Sequence, residues 1–279
     1  MKQKNSKGRD TMATIIAQKP SIQLEGYPIY TEISDIVYEQ LVNSNNKYVQ
    51  IDSSAHSITI KRSFFKKNKQ VQNVTRFFIE ANEEEVIIYS PIKNSDILLN
   101  SSFDDSLIES NFKNKTIAII LESPHIDEYE SNAEKLIPIG PAQGQTGKKI
   151  EKNIEKLIER LRDFHVIEDN HLYRINIINA VNFQTSLHYI HEKPLNNYYR
   201  ELRDKIWLKM WSEIPQIKNE FLKHTSSLKK GSIIINACPK SLKPFVNLEF
   251  IQNINKYHLF ESNHPTSTEN WVDSLFKIN

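Results

Sequence analysis

The sequence predicts an α/β fold with a central, mostly parallel four-stranded sheet flanked by helices, preceded by a small β-rich N-terminal part. The second half of the chain alternates apolar, β-branched runs with stretches of helical spacing, whereas residues 48–90 alternate apolar and polar residues with a period of two. The first pattern is typical of parallel strands covered by helices, and the second of strands with one exposed face. We therefore divide the chain into a flexible leader (1–20), an N-terminal β-rich accessory region (21–110) and an α/β domain (111–279).

The N-terminal region contains four short β-like runs, which read KYVQID, HSITIKRSF, VTRFFIEA and EEVIIYS. Turn-forming stretches separate these runs, so we predict a small antiparallel meander. Residues 93–111 are polar enough for a linker or a short helix. The leader is basic, but no apolar stretch follows it, so we do not interpret it as a secretory signal.

The second half of the chain contains four predicted buried strands, which read TIAIILE, LYRINIINAV, GSIIINAC and YHLFES. Between the first two, apolar residues recur at helical spacing from Ile150 to Leu161, which predicts an amphipathic helix. Residues 196–228 carry helical signals that are interrupted near Pro215. The C-terminal STENWVDSLFKIN begins with a Ser/Thr cap and predicts a closing helix.

Composition limits the possible functions. The 279 residues include 36 basic and 34 acidic ones, so any contact with nucleic acid must come from local patches. One cysteine, Cys238, excludes an internal disulfide and a four-cysteine iron–sulfur cluster and fits a reducing compartment. No apolar stretch approaches the length of a membrane span. We expect a soluble cytoplasmic protein without a cofactor.

A metal site and a phosphate-binding loop are not expected either. The nine histidines are scattered, no HExxH occurs, and the only close pair is His188 and His191. The stretch GQTGKK resembles a P-loop, but Ala142 stands where the pattern requires its first glycine, and Lys149 stands where it requires Ser or Thr.

Polar side chains follow each of the four predicted parallel strands. In a parallel sheet, ligands bind outside the carboxyl ends of the strands, so these side chains are expected to line one cleft. In chain order they are Glu122, His125, Asp127 and Glu128 after the first strand; Asn179 and Asn182 after the second; Asn236, Lys240 and Ser241 after the third; and His264, within NHPTS, after the fourth.

These strand-end motifs resemble those of the uracil-DNA glycosylase superfamily. The family's first motif, a strand and a short polar stretch ending in Pro, corresponds to LESPH; its middle strand often ends in Asn-Ala-Val, as in NIINAVNF here. Its last motif is a strand, then His-Pro-Ser and a closing helix, and here it reads LFESNHPTSTENW. The Gly-containing loop GPAQGQTGKK also lies where such enzymes hold the base and the backbone. The resemblance covers about residues 115–279.

The resemblance implies catalytic roles for three residues. His264 would donate to the oxygen of the departing base, and Asn179 would read the edge of the base. Many family members carry a water-activating Asp just before the Pro, but this chain has Ser123 there. The neighbouring Glu122 matches the Glu of the family's GEAPG variant, so we assign that role to Glu122. Asp127 and Glu128 stay open as alternatives.

The resemblance also implies residues that contact the substrate. Ser123, Pro124, His125, Gln143 and Gln145 would surround the base, with no metal and no iron–sulfur cluster. Contacts to the DNA backbone would come from Lys148, Lys149, Lys240 and Ser267.

The partner expected from the resemblance is single- or double-stranded DNA. The polar Gly-rich loop favours a modified base over uracil, as in relatives that act on modified phage DNA in bacterial defence. Three alternatives stay open: an inactive module that binds nucleic acid, a uracil-excising repair enzyme and a hydrolase of small nucleosides. The basic run KRSFFKKNK (61–69) has two interpretations, a DNA-gripping hairpin tip with stacking Phe residues or a solvated turn whose Phe residues face the core.

Overall fold

The structure is a computed structural model. It describes residues 19–27, 29–44, 46–82, 86–89, 115–130, 136–169, 171–187 and 199–278. The predicted linker at 93–111, the pair His188 and His191, and all but the end of the predicted leader lie outside these residues.

Eleven strands and six α-helices are present in the described ranges. The strands are β1 (Ser21–Leu24), β2 (Ile29–Glu32), β3 (Val49–Asp52), β4 (Ser57–Ile60), β5 (Val74–Ala81), β6 (Val86–Tyr89), β7 (Lys115–Leu121), β8 (His171–Asn179), β9 (Ser232–Asn236), β10 (Tyr257–Glu261) and β11 (Phe276–Lys277). The helices are α1 (Asp35–Val42), α2 (Gln145–Lys152), α3 (Ile154–Asp163), α4 (Tyr199–Glu213), α5 (Pro215–Ser226) and α6 (Lys243–Ile251).

The main sheet has seven strands in the order β11-β10-β9-β7-β8-β5-β6. The β8–β7, β7–β9 and β9–β10 pairs are parallel, whereas β11–β10, β8–β5 and β5–β6 are antiparallel. The prediction of a central, mostly parallel four-stranded sheet flanked by helices is therefore wrong, although its four strands are present. Antiparallel strands extend both edges: β11 at one side, and β5 with β6 at the other. Strand β5 joins the sheet because it buries one apolar face (Phe77, Ile79 and Ala81) when it pairs with β8.

The predicted four-stranded N-terminal meander is also wrong. Its first two strands, β3 and β4, belong to a separate mixed sheet in the order β2-β1-β4-β3, and its last two, β5 and β6, join the main sheet. A period of two shows that a strand has one buried face, but it does not show which sheet covers that face.

Two apolar cores lie on opposite faces of the main sheet, because alternate residues of each buried strand point to opposite sides. Ile119 and Ile177 pack on the face covered by α2 and α3. Ile120 and Ile178 pack on the other face with Trp207 of α4, in a core that continues into the smaller sheet. Residues from the N-terminal sheet therefore share a core with the helices beside the parallel strands.

The helical predictions have mixed outcomes. The interruption near Pro215 is confirmed, since α4 ends at Glu213 and Pro215 begins α5. The helix predicted from Ile150 to Leu161 is two helices that meet at Asn153. The predicted closing helix is wrong: residues Trp271–Ser274 form a single 3-10 turn, and the chain then pairs as β11 with β10. Trp271 and Val272 are buried there, so packing sets this local structure.

The order of the four parallel strands places the candidate site. In chain order they lie 2-1-3-4 across the sheet, since β7 has β8 on one side and β9 on the other. The chain thus reverses its winding direction at β7, and α/β sheets bind ligands at the carboxyl end of such a strand. The residue that follows β7 is Glu122.

Candidate active site

Glu122 lies at this switch point as a buried carboxylate, with only 8% of the residue exposed. Its Oε1 lies 3.4 Å from Nη1 of Arg203, and its Oε2 lies 3.4 Å from Nε2 of His264. Oε2 accepts no hydrogen bond from any described residue. Because buried polar atoms in native proteins nearly always have a partner, an unpaired carboxylate oxygen at a ligand-binding edge indicates a functional atom.

The backbone around Glu122 is fixed by two hydrogen bonds to its carbonyl. The indole N–H of Trp207 donates to it at 2.7 Å, and the N–H of Val181 donates at 3.1 Å. Trp207 is fully buried in α4, the helix that also carries Arg203. The same helix therefore holds both the main chain and the charge of Glu122.

His264 faces Glu122 as a neutral ring. Burial lowers the pKa of His264, although the charge of Glu122 acts in the opposite direction. The backbone N–H of Thr266 donates to Nδ1 at 3.3 Å, and the Thr266 hydroxyl lies 2.9 Å from the same atom. Because Nδ1 accepts, the proton of the neutral ring is on Nε2, the nitrogen closest to Glu122.

Arg203 is a site residue that the sequence did not reveal. Its side chain is 12% exposed, and its guanidinium also contacts Asp204 at 2.7 Å. Asp204 in turn accepts a hydrogen bond from the hydroxyl of Ser241 at 2.6 Å. Arg203 lies in a helix of mixed charge, where its sequence context is that of an ordinary surface arginine, so only the fold distinguishes it.

A second buried carboxyl group, Glu128, lies on the loop after β7. It is 3% exposed, and burial raises its pKa to about 8. Backbone N–H groups of Ala142 and His125 and the Nδ2 of Asn179, at 3.2 Å, donate to it. A carboxyl group has about four acceptor positions, so three donors leave one position for the proton that Glu128 carries at neutral pH.

Asn179 is therefore paired with Glu128 and not with Glu122. The residue is 1% exposed, and its backbone N–H donates to Oδ1 of Asn73 at 3.1 Å. Its side-chain Oδ1 has no hydrogen-bond partner among the described residues. Asn179 is thus held rigidly with one acceptor available.

The loop that donates to Glu128 has a strained backbone. Ala142 has φ of 55°, in the left-handed region that a non-glycine residue rarely adopts. Its carbonyl oxygen lies so close to Gly147 that a Cβ built at Gly147 would be 1.8 Å from it. Gly147 is needed there because only a residue without Cβ permits this approach.

We expect Gly147→Ala to destabilise the protein by about 3 kcal/mol, because the clash is with backbone and cannot be relieved by a rotamer change. Urea denaturation measures this loss. Gly140→Ala is the matched control: a Cβ there meets only the end of the Gln143 side chain, at 3.1 Å. Equal stability of the two variants would contradict the proposed packing of the loop.

The residues proposed to surround the base have different environments. Ser123 is buried, and its hydroxyl is 2.7 Å from that of Thr185; Pro124 is also buried. His125 is exposed and pairs with Asp127 at 3.3 Å. Gln143 is half-buried and donates to the carbonyl of Pro141 at 3.4 Å, and Gln145 is exposed at the start of α2.

The residues proposed to contact the DNA backbone lie on the surface around this edge. Lys148 and Lys240 are exposed. Lys149 is half-buried and pairs with Glu269 at 2.6 Å. The hydroxyl of Ser267 donates to the carbonyl of His264 at 2.7 Å, so it closes the turn that orients His264.

The basic run 61–69 is not a hairpin tip with exposed aromatic rings. It forms two short 3-10 turns, Arg62–Phe65 and Lys67–Lys69. Phe64 and Phe65 are 0% and 4% exposed, and they pack on Tyr48 and Phe183. The interpretation in which the Phe residues face the core is therefore confirmed.

Within the described ranges, no three His, Cys, Asp or Glu side chains are grouped so that they could hold a metal ion. None of the helices described by the structure is long and apolar enough to cross a membrane. In comparisons with known proteins, no family model, curated protein or solved structure matches the chain.

Proposed function

We propose that this protein is a divergent DNA glycosylase of the uracil-DNA glycosylase superfamily that acts in the cytoplasm. It hydrolyses the N-glycosidic bond of a flipped-out, modified base, leaves an abasic site and serves in defence against phage. The observation that carries the proposal is the buried Glu122 at the switch point of the sheet, whose Oε2 accepts no hydrogen bond from the residues that the structure describes.

Glu122 suits the sugar side of this reaction. Breaking the bond between C1′ and the base nitrogen leaves positive charge on the sugar, and a nearby carboxylate stabilises it. In the proposed step, Oε2 also accepts a proton from the water whose oxygen adds to C1′. Arg203 holds the other oxygen of the carboxylate, and this fixes the orientation of Glu122.

Glu128 and His264 suit the base side. When the bond breaks, its electron pair goes to the base, which must be stabilised by donors or take up a proton. Glu128 carries a proton at neutral pH because burial raises its pKa to about 8. A buried carboxyl group that keeps its proton in this way is suited to act as a general acid. His264 supplies an Nε2–H donor beside Glu122.

DNA substrates of several kinds test this proposal. We expect the protein to leave alkali-labile abasic sites in DNA that contains hydroxymethylated or glucosylated cytosine, and fewer or none in uracil-containing or mismatched DNA. Strand breakage after alkali treatment measures the reaction. Salt-sensitive binding without breaks on any DNA would contradict the proposal and favour a binding module, whereas cleavage of free nucleosides alone would favour a nucleoside hydrolase.

A further inference from the structure

The N-terminal strand β5 and the segment before it lie along the end of β8, directly beside Asn179. The backbone N–H of Val71 donates to the carbonyl of Asn182 at 3.0 Å, and Oδ1 of Asn73 accepts from the N–H of Asn179 at 3.1 Å. We call residues 71–76 and 179–182 together the seam. None of the four strand-end motifs of the α/β region includes residues 71–76.

A β-bulge in β5 lies within this seam at Arg76. The pairing of β5 with β8 is irregular between Thr75 and Phe77, which places Arg76 at the bulge. Bulges re-aim side chains and often occur next to functional sites. Arg76 is half-buried; burial lowers its pKa, whereas the charges of Glu151 and Glu128 raise it, so its guanidinium lies within electrostatic range of both carboxyl groups.

Four buried polar atoms of the seam have no hydrogen-bond partner among the described residues. Two are donors, Nδ2 of Asn73 and Nη1 of Arg76, and two are acceptors, Oδ1 of Asn179 and Oδ1 of Asn182. Asn179 and Asn182 are 1% and 8% exposed. Buried atoms of this kind each cost free energy unless a ligand or water pairs with them, and four in one seam indicate a polar binding surface.

The number of unpaired donors and acceptors in the seam limits which bases could pair with all of them. Uracil and thymine, once linked to the sugar, carry a single N–H donor on the ring, so one of the two acceptors would stay unpaired. Cytosine carries an amino group with two N–H donors, and a hydroxymethyl substituent adds an O–H that both donates and accepts. A site with unpaired buried polar groups discriminates strongly against a ligand that lacks the matching group.

We infer that Asn73 and Arg76 form a second wall of the base pocket, beside Asn179 and Asn182, and that this wall selects an amino- or hydroxyl-bearing base over uracil and thymine. The inference rests on the proposed function for its ligand, a base in DNA. It assigns to the N-terminal region a role in substrate specificity.

Equilibrium binding tests the wall separately from catalysis. The probes are single-stranded oligonucleotides with one central uracil or one 5-hydroxymethylcytosine on a 2′-fluoro sugar, which resists glycosidic cleavage. We expect the hydroxymethylcytosine probe to bind at least about tenfold more tightly. In Arg76→Met and in Asn73→Asp, which keeps the Oδ1 acceptor, we expect this preference to fall below about threefold.

Arg174→Met is the matched control. Arg174 is half-buried on the neighbouring strand β8 and lies 6.0 Å from the ring of Phe78, as Arg76 lies 5.9 Å from that of Phe77. We expect it to keep the full preference. Equal binding of the two probes, or a preference unchanged in both seam variants, would overturn the inference. Cleavable oligonucleotides with ordinary sugars are assayed in parallel. Excision without a binding preference would support the glycosylase proposal and contradict the inferred wall. A binding preference without excision would support the wall and contradict the glycosylase proposal.

Discussion

Replacing Glu122 with Gln is expected to lower the rate of base excision by about a thousandfold. Gln has the same shape and keeps a contact to His264, but it carries no charge to stabilise a sugar cation and is a poor proton acceptor from water. Removal of one preorganised electrostatic group typically costs a hundredfold to a thousandfold in rate. Single-turnover kinetics with saturating enzyme measure the effect on the chemical step alone.

DNA affinity and folding are expected to change little in this variant. Arg203 retains a carboxylate partner, since it also contacts Asp204 at 2.7 Å. Glu159→Gln, an exposed position on α3, is the matched control and should excise the base at the wild-type rate. If Glu122→Gln reacts within tenfold of wild type while the protein stays folded, Glu122 does not have the assigned role.

The second large effect is a pH dependence of stability caused by Glu128. Burial raises the pKa of this carboxyl group from 4.5 to about 8, so between these values the folded state binds a proton that the unfolded state has lost. The stabilisation is complete below pH about 4.5 and is lost as the pH rises through about 8. The shift corresponds to a loss on the order of 5 kcal/mol.

Thermal denaturation of wild type and Glu128→Gln at pH values from 5 to 9 measures this effect. We expect the melting temperature of the wild type to fall by about 10 °C relative to that of the variant across this range. Because the other groups titrate alike in both proteins, the difference between the two melting temperatures reports on Glu128 alone. The control Glu159→Gln should show the same pH dependence of the melting temperature as the wild type. Parallel curves for wild type and Glu128→Gln would show that Glu128 is ionised at neutral pH.

The sequence predicted the elements of the fold better than their assembly. All four parallel strands are confirmed, because a strand buried on both faces must be apolar throughout, and TIAIILE and GSIIINAC have that composition. The edges of the sheet were not predicted. Strand β5 ends at Ala81, 90 positions before its sheet neighbour β8 begins at His171, which is beyond the reach of any local pattern, and β6 joins the sheet through β5.

The candidate site, like the fold, was predicted only in part from the sequence. The rule that polar residues follow parallel strands correctly placed Glu122 next to His264, although 142 positions separate them. It did not distinguish Glu128 from Asp127, since only burial separates a neutral acid from a solvated loop carboxylate. Arg203 lay outside the rule because a helix, α4, brings it to Glu122, and Arg76 lay outside it because it belongs to the antiparallel strand β5.

The most direct measurement is detection of the released base by mass spectrometry. DNA with hydroxymethylated or glucosylated cytosine is incubated with wild type, Glu122→Gln or Glu159→Gln, and the low-molecular-mass fraction is analysed. The proposed function predicts one free base, equal in amount to the abasic sites, with wild type and Glu159→Gln and not with Glu122→Gln. Absence of any free base with all three proteins, or its equal release by Glu122→Gln, would contradict the central claim that Glu122 hydrolyses an N-glycosidic bond in DNA.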